Sequence, residues 1–503
     1  MPSVTRLMKL TLLASAMSVV AGPALAQESA ITVVLPEQVS NLDPCNASNS
    51  HVGRVVTQNI TETLTRLNPE EGEANPLLAT EWEQVDELTW RFTLRDDVSF
   101  QDGNPFNAEA AAFAINRLMN QAITCASRSK LSNLVMIPEV IDEHVLEVRT
   151  EVPMPILPTL MSLVMMVSPD TPMDENTNEP VGTGPYQLAD YTPEQVVLER
   201  FEGYWGDQPE VEQATYVWRS ESALRAAMVE TGEADLAPVI AIQDATNPET
   251  DFAYLNAETT RFRIDLGVPP LDDVRVRKAL NLAIDWEGMA TLFGPDVLRA
   301  AQMVIPGVLG HNAEIEPWPY DPDEARRLLE EARADGVPVD TELNVIARSG
   351  NYPNSQEATE AMVAMWSDVG IQSRITTVDA AGWTEYLNKP FPEDRGASLL
   401  MQMHDNVTGD AVFTVPLSYA SDGQYSTVND PEIDELIAQA RAATGEERAE
   451  LFGEVFRRVH DEIVAEVTMF HMVGYTRVGP RIDWEPTVTT NSQIPLADIS
   501  LND

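Results

Sequence analysis

Strand signals and helix signals take turns along nearly the whole chain, and this alternation restricts the fold more than any other feature. Ile31 to Leu35 is short and β-branched, the pattern of a buried strand. Val52 to Leu67 carries Val52, Val55, Val56, Ile60 and Leu64 at helical spacing. Thr89 to Leu94 alternates as a strand, and Asn107 caps a helix running to about Met119. Residues 138–152 read as a strand pair. Further strands are predicted at Tyr186–Tyr191, Val196–Phe201, Phe262–Leu266, Glu342–Ala347 and Ile371–Val378. Helices are predicted at Ala223–Thr231, Val274–Ile284, Pro322–Ala334, Gln356–Val369, Pro431–Ala442 and Glu446–Val464. The Pro322 helix has Asp321 as its N-cap, proline in its first turn and Gly336 past its end. Interleaving of this kind favours α/β lobes over an all-helical or all-strand design.

The ends of the chain and its charge narrow the setting. Arg6 and Lys9 precede an apolar run from Leu10 to Val20, followed by Gly22-Pro23 and the small-x-small triplet Ala24-Leu25-Ala26. That order reads as a secretory signal peptide, residues 1–26, cut after Ala26. The run falls short of the ~20 residues of a comfortable membrane span; an uncleaved anchor is the alternative. The mature chain of 477 residues (503 minus 26) exceeds one ordinary core, so two or three lobes are expected. Cleavage moves the formal charge from −48 to −50, with 30 basic residues against 80 acidic. Such a surface repels itself in dilute buffer and suits salty water. It excludes nucleic-acid binding, which needs a basic face. The two cysteines, Cys45 and Cys125, either form one disulfide in an oxidising compartment or stay as two separate buried thiols.

Several blocks in order resemble a known family. Asn41-Leu42-Asp43-Pro44 is similar to an opening "LDP", and Asn75-Pro76-Leu77-Leu78-Ala79-Thr80-Glu81-Trp82 to "P-x-LA-x-x-W". Trp90-Arg91-Phe92-Thr93-Leu94-Arg95 through Phe100-Gln101-Asp102-Gly103 resembles "tFxLRxxVxFxDG". Val181-Gly182-Thr183-Gly184-Pro185-Tyr186 resembles "vGTGPY", and Tyr204-Trp205-Gly206 the "YWG" that follows it. Asp273 to Leu280 is close to "DxRVRxAL", and Tyr320-Asp321-Pro322 with Ala325, Leu328 and Leu329 to "YDPxxAxxLL". Together they identify the chain as similar to the extracellular solute-binding proteins of peptide-type ABC importers, the dipeptide, oligopeptide and nickel group of solute-binding family 5.

The resemblance implies an α/β, two-lobed periplasmic-binding-protein fold (type II, cluster C) with an extra subdomain in the first lobe. Residues 31–66, 180–265 and 478–503 would form the first lobe, 67–179 the extra subdomain and 266–477 the second lobe. Hinge crossings would lie near Arg263–Gly267 and Met472–Arg477. It implies a periplasmic monomer, without cofactor or resident metal, that takes a peptide or similar small polar solute to an inner-membrane ABC permease. Relatives hold the ligand amine with an aspartate in a motif resembling "GWxxD". Here that stretch runs from Met401 to Asp410 without the glycine-tryptophan pair. Asp405 is the best positional match and Asp410 the alternative. Other ligand-binding candidates are Val39, Ser40 and Asn41 after the first strand, Arg348, Asn351 and Tyr352 after a second-lobe strand, and Trp383 and His404. Arg348 could clamp a carboxylate. A non-peptide ligand (metal chelate, opine or sugar conjugate) is the alternative to a peptide. A secreted hydrolase is a further one, although no G-x-S-x-G, H-E-x-x-H or P-loop is present.

Overall fold

The computed structural model describes residues 29–67, 74–131, 134–348, 351–352, 354–406 and 409–502. The signal-peptide stretch 1–26 and its cleavage site lie outside the described residues. Among the described residues, no helix is long and apolar enough to cross a membrane.

Two long antiparallel strands hold the molecule together. The first hinge strand, Asp251–Ile264, and the second, Glu466–Val478, pair along almost their whole length. Leu255 to Asp251 pair with Val473 to Arg477. The register then shifts between Leu255 and Thr259, where buried Ala257 takes a left-handed φ of 62°. Beyond the shift, Thr259 to Arg263 pair with His471 to Glu466 on one side and with His404 to Leu400 of strand Ser398–Asp405 on the other. A second register shift falls between Thr260 and Arg261.

An eleven-stranded sheet is built outward from this pair. On one side Leu236–Ile240 joins the second hinge strand, followed by Ala30–Leu35, Gln213–Trp218, Val196–Arg200 and Tyr186–Tyr191. On the other side Ser398–Asp405 joins the first, followed by Leu343–Arg348 and Ser373–Val378 in parallel. A separate antiparallel sheet orders Ala79–Asp86, Thr89–Leu94, Val145–Thr150 and Met136–Asp142, with helix Ala108–Met119 packed on it. The buried apolar residues follow the same partition. One core gathers Ile31, Val55, Tyr186, Tyr216 and Ile499; another Leu78, Phe92, Ala111 and Leu146; a third Phe262, Leu280, Val345 and Trp366. A fourth packs Val415, Ile433, Phe452 and Phe456 under the helices near the C-terminus.

Local chemistry explains most element ends. Asp321 accepts from the Glu324 N–H, Asn107 from Ala110, and Asp430 from Glu432 and Ile433, each capping a helix start. The predicted helix Val52–Leu67 is the main exception: it spans only Ser50–Val56. Asn59 is pulled out of helical geometry by tertiary bonds. Its amide donates to the carbonyls of Arg54 and Ile494 and accepts from the Leu496 N–H. The last long helix also ends early, at Arg458, passes through a π turn over Val459–Ile463 and stops at Val464, whose φ is left-handed.

The sequence blocks meet at the junction of two cores. Buried Glu62 accepts from Thr183 Oγ1 at 2.8 Å, Trp205 Nε1 at 2.9 Å and Tyr204 OH at 3.0 Å. Gln101 donates to the carbonyls of Ile60, Gly184 and Tyr186 and accepts from the Gly182 N–H. A Cβ on Gly182 would lie 2.1 Å from the Ile60 oxygen, and one on Gly184 2.3 Å from the Asn59 oxygen, so both positions require glycine. Asp43 and Arg117 form a buried pair, with Arg117 Nη2 2.7 Å from Asp43 Oδ2 and Nη1 3.1 Å from Oδ1. Nearby, Cys45 and Cys125 are joined by a disulfide with Cα atoms 4.7 Å apart.

Burial pushes the Asp43 carboxyl up, but Arg117 and the N–H groups of Thr177 and Cys45 outweigh it and hold it below the ordinary range. Asp43→Ala strands the Arg117 charge in the interior; chemical denaturation should show a loss of about 3–5 kcal/mol. Glu62 has the opposite sign. Burial pushes its carboxyl up to about 7, against the pull of its three donors. The folded state then holds a proton that the unfolded chain, at an ordinary value of 4.5, has lost. This stabilisation is complete below pH 4.5 and is lost as pH rises to about 7. Glu62→Gln should remove about 3 kcal/mol of that decline, read from denaturation midpoints across the pH range.

Candidate functional site

The strand registers bring the candidate loops to one place. Ala30–Leu35 runs parallel to Leu236–Ile240, which approaches the crossing along the second hinge strand. Ser398–Asp405 reaches the crossing at Asp405, opposite Glu258, and Leu343–Arg348 runs parallel to it. The C-terminal ends of strands from both sides of the sheet thus face one another across the hinge, the place where open α/β sheets bind ligands.

In the loop after Leu35, Val39 is buried in the core and its carbonyl accepts from Tyr191 OH at 3.0 Å. Ser40 is exposed, with Oγ 3.4 Å from His51 Nε2, while His51 Nδ1 lies 3.4 Å from Glu37. Asn41 folds the loop on itself, accepting from the Asp43 N–H and from Asn46 Nδ2. Of these three, only Ser40 and Asn41 have side chains outside the core.

Across the hinge, Arg348, Asn351 and Trp383 come together. Arg348 Nη1 lies 3.5 Å from Asn351 Oδ1, and the guanidinium centre 5.5 Å from the Trp383 ring. Arg348 Nε and Asn351 Nδ2 are buried donors with no hydrogen-bond partner among the described residues. Two such donors beside an aromatic face suit a carboxylate. Trp383 is fixed by donating to the Met401 carbonyl at 2.7 Å. Tyr352 differs from its expected role: it is core, packed on Phe293 with its hydroxyl near Met469 Sδ.

The two candidate aspartates have different fates. Asp410 is buried and gripped by Arg448, whose Nε and Nη2 lie 2.8 and 3.1 Å from its carboxylate; it also accepts from the Val412 N–H. That ion pair ties the helix Gly445–Arg458 to the loop beyond the strand, so Asp410 has a structural partner where a ligand contact was expected. Asp405 is half-buried at the end of its strand. His404 points its Nε2 to Thr414 Oγ1 at 2.5 Å.

Sequence reasoning missed Glu258, the residue paired with Asp405. Residues directly opposite in an antiparallel pair place their Cβ atoms about 4.5–5.5 Å apart. Burial, with the facing Asp405 adding to it, pushes the Glu258 carboxyl up to about 8. Arg54 and the amides of Asn256 and Asn491 pull the other way. Arg54 is itself buried, with Nε donating to the Thr490 carbonyl at 3.1 Å. No local pattern marks Glu258: it sits in a polar stretch whose strand partner is 147 residues away, and the register alone reveals the pair. The crossing therefore carries an acidic pole at Glu258 and Asp405 and a basic pole at Arg348. Among the described residues, no group of three or more His, Cys, Asp or Glu side chains is placed to hold a metal ion.

Comparison with known proteins identifies the family. Residues 73–422 match the family described as bacterial extracellular solute-binding proteins, family 5 Middle. The glutathione-binding protein GsiB of Salmonella typhi is 27% identical over 464 residues, covering 88% of this chain and 89% of that protein. The dipeptide-binding protein of Escherichia coli K12 is 28% identical over 446 residues, covering 80% and 82%. The crystal structure of NikA from Brucella suis in complex with Fe(III)-EDTA has a TM-score of 0.80 at 23% identity, over 94% of this chain and 100% of that one. The shared fold is the two-lobed α/β fold of type II periplasmic binding proteins. The family match spans more than half the chain, and the protein belongs to the bacterial extracellular solute-binding proteins of family 5.

Proposed function

We propose that this protein is the extracytoplasmic receptor of an ABC importer. It captures a peptide or similar small solute bearing both an ammonium and a carboxylate, and delivers it to an inner-membrane permease. It works as a periplasmic monomer once residues 1–26 are removed. Residues 31–66, 180–265 and 478–503 form the first lobe, 67–179 its extra subdomain and 266–477 the second lobe. The separate cores around Tyr216, Phe92 and Trp366 support that division. The lobes close about the two hinge strands.

One observation carries the reading: opposite poles stand on neighbouring strand ends at the crossing, Asp405 with its partner Glu258, and Arg348 with Asn351. The first pole suits an amine. The second has two buried donors in need of an acceptor. Relatives named for glutathione and dipeptides bind solutes with both groups. A second reading keeps the receptor and replaces the peptide by a metal chelate. It rests on Met401-Gln402-Met403-His404 standing where the resembling motif has glycine and tryptophan, and on the chelate in the Brucella suis relative.

Thermal melting of the mature protein in salt against glutathione, dipeptides and Fe(III)-EDTA separates the two. A ligand at 100 times its Kd adds about 2.7 kcal/mol of stability. Shifts with glutathione or dipeptides are expected; a shift with Fe(III)-EDTA alone favours the chelate reading, and a folded protein that none of them shifts overturns the ligand class. By calorimetry, Asp405→Asn and Arg348→Ala should each weaken dipeptide binding by about 1.5–3 kcal/mol, the range of hydrogen bonds to charged groups. Asp410→Asn, by contrast, should cost about 3 kcal/mol of fold stability through the stranded Arg448 and leave the dipeptide Kd unchanged below the melting range.

A further inference from the structure

Four buried polar atoms that have no hydrogen-bond partner among the described residues lie on three neighbouring strands and the loop after one of them. Arg348 Nε and Asn351 Nδ2 belong to the basic pole. The other two are Gln402 Oε1 and Arg261 Nε. Gln402 and Arg261 are direct partners where Ser398–Asp405 pairs with Asp251–Ile264. On its other side Ser398–Asp405 runs parallel to Leu343–Arg348, with Ile346 opposite Leu400. Two residues further along each strand, the same face carries Arg348 and Gln402. Trp383 joins these two strands: its indole donates to the Met401 carbonyl at 2.7 Å, and its ring lies 5.5 Å from the Arg348 guanidinium centre.

The two arginines are provided for unequally. Arg261 pairs through Nη1 with buried Glu466, and its Nη2 lies 3.4 Å from Ser418 Oγ, so its charge is balanced within the fold. Arg348 bonds only Asn351 Oδ1 among the described side chains, at 3.5 Å. Gln402 is 4% exposed, and its oxygen is the one acceptor among the four atoms. An amide oxygen left so deep costs free energy unless a donor reaches it. It has two lone pairs, so a turn toward Arg261 Nε still leaves one open. Between two guanidinium groups the amide keeps its oxygen, and not its NH2 group, toward them. Donors for a carboxylate at Arg348 and Asn351 thus stand beside an acceptor that suits an N–H.

We propose that Gln402 is a specificity-determining residue: it accepts from an N–H on the carbon that bears the ligand carboxylate. The site then selects N-acylated amino-acid ends, as at a peptide C-terminus, over the corresponding esters. This rests on the reading that Arg348 and Asn351 hold the carboxylate, and deepens it by naming the group beside it. Arg348 supplies charge and Gln402 supplies discrimination. A solute without the N–H leaves the buried oxygen with no donor, and the loss falls on binding and not on the fold.

Calorimetry on the mature protein in salt compares alanyl-alanine with alanyl-lactate, which has an ester oxygen in place of the N–H. Wild type should bind the amide about tenfold more tightly or better. That preference should shrink about tenfold in Gln402→Leu and in Gln402→Met, which keep the bulk and lose the acceptor. Without any added solute, both variants should melt no lower than wild type, because an amide lacking a partner gives way to an apolar group. A glutamine bonded within the fold would behave in the opposite way. Equal binding of amide and ester by wild type, a preference that survives in both variants, or lower melting of both variants overturns the proposal and leaves the dipeptide reading standing. If alanyl-alanine does not bind, the dipeptide reading fails. N-acetylalanine against O-acetyl-lactate, the same end without the amine, then decides Gln402: a preference lost in the variants supports it, and no binding or no preference overturns it.

Discussion

Everything in this molecule hangs on one stretch of backbone pairing, between Asp251–Ile264 and Glu466–Val478. The two strands lie in the middle of an eleven-stranded sheet, so among the described residues no strand on one side of the crossing bonds to a strand on the other except through them. A sheet that continued in perfect register would be stiff. Here the ladder breaks between Leu255 and Thr259, with Ala257 in the left-handed region that alanine adopts at a cost. A second register shift follows between Thr260 and Arg261, so the pairing is interrupted twice within a few residues of the crossing. Strand ends from both sides of the sheet arrive near this interruption, Leu236–Ile240 along the second strand and Ser398–Asp405 along the first.

Charge is managed differently inside and outside. A chain of formal charge −48 has few cations to place, and all but four of its 32 basic residues are arginine. Several arginines are spent where a planar fork can bond two partners out of water: Arg117 on Asp43, Arg261 on Glu466, Arg448 on Asp410 and Arg477 on Asp251. Each joins segments far apart in sequence, and the pairs act as registers between layers more than as sources of net stability. The exposed pairs, such as Arg327 with Glu324 and Glu331, matter little by comparison and are screened in salt.

How much of this could be read from the sequence depended on whether the deciding contact was local. The helices that begin at Asn107, Asp321 and Asp430 were legible because cap and helix lie within four residues. The sequence blocks were legible as signatures, but not their meeting on Glu62, which draws on residues from three separate stretches. Most of the first hinge strand was not legible. Phe262–Leu266 carries an apolar strand signal and Phe252–Leu255 is apolar as well, but Asn256–Arg261 between them is polar apart from Ala257 and is extended only because neighbours far along the chain pair with it. The same cause hid Glu258. It also left Asp405 and Asp410 indistinguishable, since what separates them is Arg448, 38 residues beyond Asp410.

The site follows from these constraints. A receptor that must close and reopen cannot bury uncompensated charge deeply without favouring one state too strongly. At this hinge the acidic pole is partly balanced by Arg54, and the basic pole is steadied by the Trp383 face. The acidic pole sets two carboxyl groups side by side at Glu258 and Asp405, and the basic pole holds buried donors of Arg348 and Asn351 that find no acceptor among the described residues. Asp405 and Arg348 stand at the ends of neighbouring strands on one side of the crossing, and Asp405 is paired directly with Glu258, so a solute bearing both complements meets both poles side by side. The resemblance to peptide receptors and the bottom-up chemistry of the crossing thus converge on the same class of ligand, although the motif that usually announces it is altered between Met401 and Asp410.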